Sequence, residues 1–211
     1  MITPLTRLVA SAALAGMLAA AGCATGSADS DEWSGRIDSK TPETLLASLQ
    51  GAATQSLNAY YDTLLQFTDC EALPEMCRLV GARADAAREM IELRAAMIDR
   101  YGDLGRAAAT DMLRSAFLGQ FEEVERASVL VGTSGDVAVL RIGTSVYRLR
   151  RRGGDWRIVQ FPDPPYDPAT TADAIEILVG RVNTIRREVL DGKIGSMQEL
   201  ELRIATALGG R

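Results

Sequence analysis

The spacing of apolar residues divides this chain into a helical first half, a strand-rich middle and a helical end. Apolar side chains recur every three or four residues before residue 118, as in amphipathic helices. One helix begins at Thr41, followed by Pro42 and Glu43 as start signals, and Gly51 weakens or ends it. Three more helices are expected over about 57–67, 77–100 and 104–118.

The period then changes from about 3.6 to 2, which indicates strands. Four short strands are expected over about 129–131, 137–142, 145–151 and 156–161, joined by tight Gly-containing turns. Helical spacing returns over about 169–190, and a capping box at 196–199 opens a last helix that reaches Leu208. The predicted fold class is α+β: N-terminal helices packed on a curled antiparallel meander of about four strands, with added C-terminal helices.

The first 22 residues have the layout of a secretory signal peptide, with Arg7, an apolar run and small residues at the end. Cys23 follows directly, and this arrangement resembles the lipobox of bacterial lipoproteins. The resemblance implies that Cys23 receives a diacylglycerol on its sulfur, becomes the first mature residue and anchors the protein to a membrane of the cell envelope. Palmitate labelling would report such an anchor. A transmembrane anchor and a plain secreted protein are the alternatives, although the apolar run is shorter than the roughly 20 residues that a spanning helix needs.

The expected organisation has four parts. Residues 1–22 are the signal peptide, and 23–40 are the lipidated cysteine with a flexible tether rich in Ser, Gly and Asp. Residues 41–161 are the α+β domain, and 162–211 are a C-terminal helical extension packed on that domain.

Composition excludes several kinds of chemistry. The chain has no histidine, which excludes Ser-His-Asp and Cys-His catalysis and imidazole metal sites. Its formal net charge of −5 gives no electrostatic reason to bind nucleic acid or anionic headgroups. No metal-ligand spacing, phosphate loop or nucleophile motif is present, so no cofactor and no metal are expected.

Cys70 and Cys77 are the other two cysteines. In an exported protein such a pair is interpreted first as a disulfide. On one continuous helix the two residues would lie roughly 10 Å apart along the axis, too far for a bond. Pro74 lies between them and disfavours an unbroken helix, so a closed loop is feasible. Two free buried thiols are the alternative.

Three stretches resemble the nuclear transport factor 2-like superfamily, which includes the ketosteroid isomerase-like and SnoaL-like domains. They are a Gly-Asp turn with its strand (135–140), a strand that contains a tyrosine (146–149), and a Gly-x-Trp-x-Ile strand (154–158). The resemblance covers about 41–161 and implies helices followed by a curled sheet around an apolar cone. Enzymes of the ketosteroid isomerase-like type use an aspartate base and a tyrosine donor in that cone.

The candidate pocket residues are Tyr60, Tyr61, Tyr147 and Trp156. Packing in the core explains the same positions without any ligand. We therefore expect a non-catalytic binding or interaction domain in the cell envelope, whose partner is an unidentified envelope protein or a small ligand. The alternative is a carrier of small apolar ligands or an Asp/Tyr-dependent enzyme of the ketosteroid isomerase-like type.

A basic cluster precedes the last turn of the sheet. Arg148 and Arg150 share one face of the predicted strand, and Arg151 lies on the other face, with Arg152 following. The cluster is a candidate interaction patch. The alternative is a solvated strand end, with Asp155 and nearby acids as partners.

Overall fold

In a computed structural model, the described residues are 37–110, 126–131, 135–162 and 167–207. The fold is α+β, as predicted: six helices, and a four-stranded antiparallel sheet that is curled and does not close. The elements in chain order are α1 (Pro42–Gln55), α2 (Leu57–Phe67), α3 (Pro74–Tyr101), α4 (helical over 103–110), β1 (Ser128–Val131), β2 (Val137–Ile142), β3 (Ser145–Arg152), β4 (Asp155–Gln160), α5 (Pro168–Leu190) and α6 (Met197–Ala207). Cys23, the signal peptide and most of the predicted tether lie outside the described residues, as does Leu208. Among the described helices, none is both long enough and apolar enough to cross a membrane.

Helix α1 begins at the predicted cap. The Thr41 hydroxyl accepts a hydrogen bond from the backbone N–H of Thr44 at 3.1 Å, and the Thr44 hydroxyl accepts one from the N–H of Thr41 at 3.1 Å. The expectation that Gly51 weakens or ends this helix at that point is wrong about its end. The helix continues to Gln55, and extended backbone at Ser56 then ends it. A lone glycine costs only about 1 kcal/mol, which helical neighbours can offset.

Two other boundaries differ from the sequence prediction. Helix α3 begins at Pro74, three residues before the predicted start, because proline suits a first helical turn. Helix α6 begins after Ser196 as expected, and the Ser196 hydroxyl accepts from the N–H of Glu199 at 3.2 Å. The Glu199 carboxylate, however, accepts from the N–H of Gly195 at 3.1 Å rather than from that of the cap residue.

The chain forms two compact units. One contains the sheet with α1, α2, the first half of α3 and the first turns of α5. Its strands lie in the order β1-β2-β3-β4, a meander in which every neighbour is antiparallel. Helix α1 contacts β1 and β2, while α2 contacts β4. The start of α5 packs on α3 through Ala172 against Leu79 and Ala82, and the pair Arg78–Asp173 at 2.6 Å adds an ion pair there.

The other unit is helical and contains residues 88–110 and 176–207 of the described chain. Its core combines one side each of α3, α4, α5 and α6. The fully or nearly fully buried members are Leu93, Ala96, Met97, Ala109, Val182, Ile185, Val189, Ile194 and Leu200. Two polar contacts add to this packing. Arg186 pairs with Glu89 and Glu92, each at 3.1 Å, and the Tyr101 hydroxyl donates to the carbonyl of Ile194 at 2.9 Å.

Candidate interaction site on the sheet

The two faces of the sheet have different chemistry. Residues directly opposite in an antiparallel register project to the same face, so the register assigns each side chain to one side. The centre of the inner face is apolar and fully or nearly fully buried. Its central members are Ala138, Leu140, Ile142, Leu149, Trp156 and Ile158.

The structure places the four candidate pocket residues at three positions. Tyr60 and Tyr61 contact each other, Tyr147 contacts Phe161, and Trp156 is buried. Tyr60 and Tyr61 retain only 6% and 2% of their exposure, and their rings meet edge to face with centroids 5.2 Å apart. Trp156 is equally buried, and its backbone N–H donates to the carbonyl of Ser39 at 2.7 Å. Tyr147 is half-buried, with its ring 5.3 Å from that of Phe161. Three of the four therefore lie within the packed interior of this unit.

Cys70 and Cys77 form the predicted disulfide, with their Cα atoms 5.6 Å apart. Cys70 lies in the turn after α2, and Cys77 lies in the first turn of α3, so the loop between them is closed as expected. The carbonyl of Asp69 accepts from the N–H of Leu73 at 2.9 Å, which tightens the same turn. The disulfide therefore fixes the connection between two helices of the sheet unit.

Asp69, next to the disulfide, lies at the edge of the sheet. Its N–H donates to the carbonyl of Ile158 at 2.9 Å, and Thr68 forms an isolated parallel bridge with the same residue. The Asp69 Oδ2 lies 2.9 Å from the Nε of Arg152, but the two groups are not aligned as a hydrogen bond. Because the Asp69 side chain is only 7% exposed, this ion pair compensates a buried negative charge. Arg152 therefore has a structural partner.

The alternative of a solvated strand end named Asp155 as a partner of the basic cluster, but Asp155 pairs with a different residue. It accepts a hydrogen bond from Lys40 Nζ at 2.7 Å, although Arg152 is its direct neighbour in the register. That hydrogen bond holds the pKa of the Asp155 carboxyl below its usual value. The Asp155 charge is therefore already matched by a lysine from the N-terminal segment.

The outer face carries the remaining arginines of the cluster. Arg148 and Arg150 project to this face of β3, as expected, and Arg151 projects to the other face, opposite Trp156. The register adds Arg141 from β2, which lies opposite Val146. Sequence reasoning missed Arg141 because only the pairing of strands shows that it shares a face with residues further along the chain.

We call this surface the arginine face. It consists of Arg141, Arg148 and Arg150, with the apolar residues Leu130, Val137, Val139 and Val146 between them. The three arginines are exposed. Leu130 keeps 64% and Val146 keeps 39% of their exposure, which is high for large apolar side chains.

Within the part of the chain that the structure describes, no acid pairs with the arginines of this face: Arg141, Arg148 and Arg150 form no ion pair there. Arg157 lies directly opposite Arg150 in β4, but it is half-buried and donates its Nη1 to the carbonyl of Gln66. The face therefore presents unneutralised positive charge on a chain whose net charge is −5.

The described residues contain no group of three or more potential metal ligands. The chain matches no protein-family model, no curated protein and no solved structure. The resemblance to lipoproteins and to the nuclear transport factor 2-like superfamily therefore stays a prediction that rests on the residues quoted for it.

Proposed function

We propose that this protein is a lipid-anchored component of the bacterial cell envelope whose α+β unit acts by binding a partner at an exposed surface, not by catalysis. The observation that carries this proposal is the contrast between the two faces of the sheet. Three arginines that have no acidic partner among the described residues lie on the outer face, whereas three of the four aromatic candidates for a ligand cone are packed inside.

The anchoring part rests on the signal layout and on Cys23. The disulfide agrees with export, because such bonds form and persist in oxidising compartments. The first described residues are fastened to the sheet unit: the N–H of Asp38 donates to the Ser48 hydroxyl at 3.0 Å. The chain is therefore attached to this unit from about residue 38 onward.

Anchoring is tested by fractionating cells that express the wild type or Cys23→Ala and by labelling both with palmitate. We expect the wild type in the membrane fraction with label, and the variant without label. Each buried methylene contributes about 0.8 kcal/mol, so two or more acyl chains hold a protein firmly. Palmitate on neither protein would contradict the anchor.

Surface binding is tested in cells by placing a photo-crosslinking amino acid at position 148 or, as the control, at position 187. Arg187 is also an exposed arginine, but it lies on α5 outside the sheet. A discrete crosslinked product at 148 and none at 187 would support binding at the outer face. Saturable uptake of an apolar probe such as anilinonaphthalene sulfonate, blocked by enlarging Ala138 on the inner face, would instead favour the carrier or enzyme alternative.

A further inference from the structure

We propose that the arginine face binds an extended, acidic segment of another protein, in which a carboxylate side chain stands at every second position. This inference rests on the proposed function and deepens it by naming the chemistry of the partner. Three observations carry it: the free charges, their spacing, and the apolar residues between them.

The first observation is that three arginines of this face have no acidic partner among the described residues. Arg152 compensates Asp69, and Arg157 is occupied by a backbone carbonyl, whereas Arg141, Arg148 and Arg150 have no acidic partner among the described residues. Arginine presents a planar fork of donors that matches a carboxylate with two parallel hydrogen bonds. On this face, these three side chains can therefore accept a new anionic partner without breaking a contact that the described residues show.

Two arginines also lie opposite each other on the neighbouring strands β3 and β4. Arg150 and Arg157 are direct cross-strand neighbours, and like charges in that position destabilise a sheet. The positive charge on neighbouring strands is concentrated rather than dispersed.

The spacing of the arginines fits an extended peptide. Arg148 and Arg150 are two residues apart on β3, so their Cα atoms lie roughly 7 Å from each other. Alternate side chains of an extended segment repeat at the same distance. Arg141, diagonal to Arg148 on the neighbouring strand, provides a third positive group about 7–8 Å away.

The apolar residues distinguish a protein segment from a small anion. Val139 lies opposite both Leu130 and Arg148, and Val146 lies opposite Arg141, so apolar and positive side chains alternate across the strands. An inorganic phosphate or a phosphate headgroup would use only the arginines. The backbone and the glutamate methylene groups of an extended segment laid across this face would also cover the exposed area of Leu130 and Val146.

The test uses the full chain, purified in a nonionic detergent, and a fluorescein-labelled peptide, Gly-Ser-Glu-Val-Glu-Val-Glu-Ser-Gly. Fluorescence anisotropy measures its dissociation constant at two salt concentrations. We expect binding that weakens with salt, and a peptide with Gln in place of each Glu should bind about tenfold more weakly or worse. The double variant Arg148→Glu/Arg150→Glu should lose about tenfold or more, and Arg148→Gln/Arg150→Gln should lose less than the reversal.

Two controls separate this site from general charge effects. Arg181→Glu/Arg187→Glu reverses two exposed arginines on α5, which is the same change of charge, and should leave the affinity unchanged. The circular dichroism spectrum and the state of the disulfide show whether each variant is folded. If Arg148→Glu/Arg150→Glu does not fold, Arg148→Gln/Arg150→Gln still tests the proposal. Equal binding of the Glu and Gln peptides, or equal losses in the α5 and β3 variants, would overturn the proposal.

Glycerol 1-phosphate at matched ionic strength serves as the competitor for a headgroup site. If it displaces the labelled peptide as effectively as unlabelled peptide does, the face recognises phosphate and the proposal is wrong. Failure of peptide binding is distinguishable from failure of the proposed function. Palmitate on Cys23 and a crosslink at position 148 would then still stand, with a partner of different chemistry.

Discussion

Replacing Gly105 by alanine should destabilise the helical unit, although the same change in an open helix normally stabilises it. A Cβ atom built at Gly105 would lie 2.1 Å from the backbone oxygen of Met97 and 2.6 Å from its carbonyl carbon. Both atoms belong to the backbone of α3, so no side-chain rotation relieves the overlap. Ordinary contacts between heavy atoms lie at about 3.5–4.0 Å, and α4 would therefore have to move by more than about 1 Å.

The magnitude follows from two opposing effects. Alanine is favoured over glycine in a helix by up to about 1 kcal/mol, partly because it reduces the freedom of the unfolded chain. Overpacking of a close-packed interior costs about 1–3 kcal/mol, and the shift would also separate Ala109 from the buried cluster of this unit. We expect a net loss of about 1–2 kcal/mol in the free energy of unfolding, which lowers Tm by several degrees in a chain of this size.

Gly180→Ala is the matched control, because Gly180 is an exposed helical glycine, and no atom beyond its own turn of helix lies within 4 Å of the Cβ that alanine would add. It should raise stability by about 0.4–1 kcal/mol. Thermal and urea unfolding followed by circular dichroism measure both variants. If Gly105→Ala raises Tm as Gly180→Ala does, then the close approach between α3 and α4 is not present in the folded protein.

Three further predictions concern single contacts. Replacing Cys70 and Cys77 by serine should cost about 2.5 kcal/mol from the loop-closure relation, measured by urea unfolding, and reductant should then have no further effect. Tyr101→Phe should cost about 1 kcal/mol, because it leaves a backbone carbonyl without its donor. Burial raises the pKa of the Tyr101 hydroxyl. Its contribution to the free energy of unfolding is therefore complete below the unfolded pKa near 10 and is lost as pH rises through the higher folded value. Tyr101→Phe should make the loss of stability at alkaline pH less steep. Asp167 precedes α5, and its carboxylate caps this helix by accepting hydrogen bonds from Thr170, which lower the pKa of the Asp167 carboxyl. Its contribution to stability is therefore present above about pH 4 and is lost as pH falls through the lower folded value. Asp167→Asn, which keeps an oxygen that can cap the helix, should make acid unfolding less steep.

The elements of the fold were predictable because each has a local cause. Thr41 and Ser196 cap their helices as expected, and the change from helical to alternating spacing locates the sheet. Errors occurred where two local signals compete. Gly51 lies in a helix that its neighbours sustain, and Pro74 begins a helix although the sequence pattern placed it in the loop between two cysteines.

The candidate site was predictable only in part, because it depends on contacts between residues far apart in sequence. The run from Arg148 to Arg152 appears as one basic cluster, and alternation along β3 correctly assigns three of its members to faces. Which of them are available for binding depends on partners that no pattern reveals. Arg152 is committed to Asp69, which lies 83 positions earlier in the numbering, and Asp155 is committed to Lys40.

The same contacts explain why the exposed positive surface does not lie at the end of β3, where the sequence pattern placed it. A strand end with four arginines in five positions would have its centre of charge at the turn, where Asp155 and Asp69 could neutralise it. Pairing removes Arg152, and strand alternation sends Arg151 to the other side. The cross-strand neighbour Arg141 then moves the centre of charge into the middle of the sheet, beside exposed Leu130 and Val146. A surface of that composition suits an extended partner with acidic groups at every second position, and a solvated strand end would not need the exposed apolar residues.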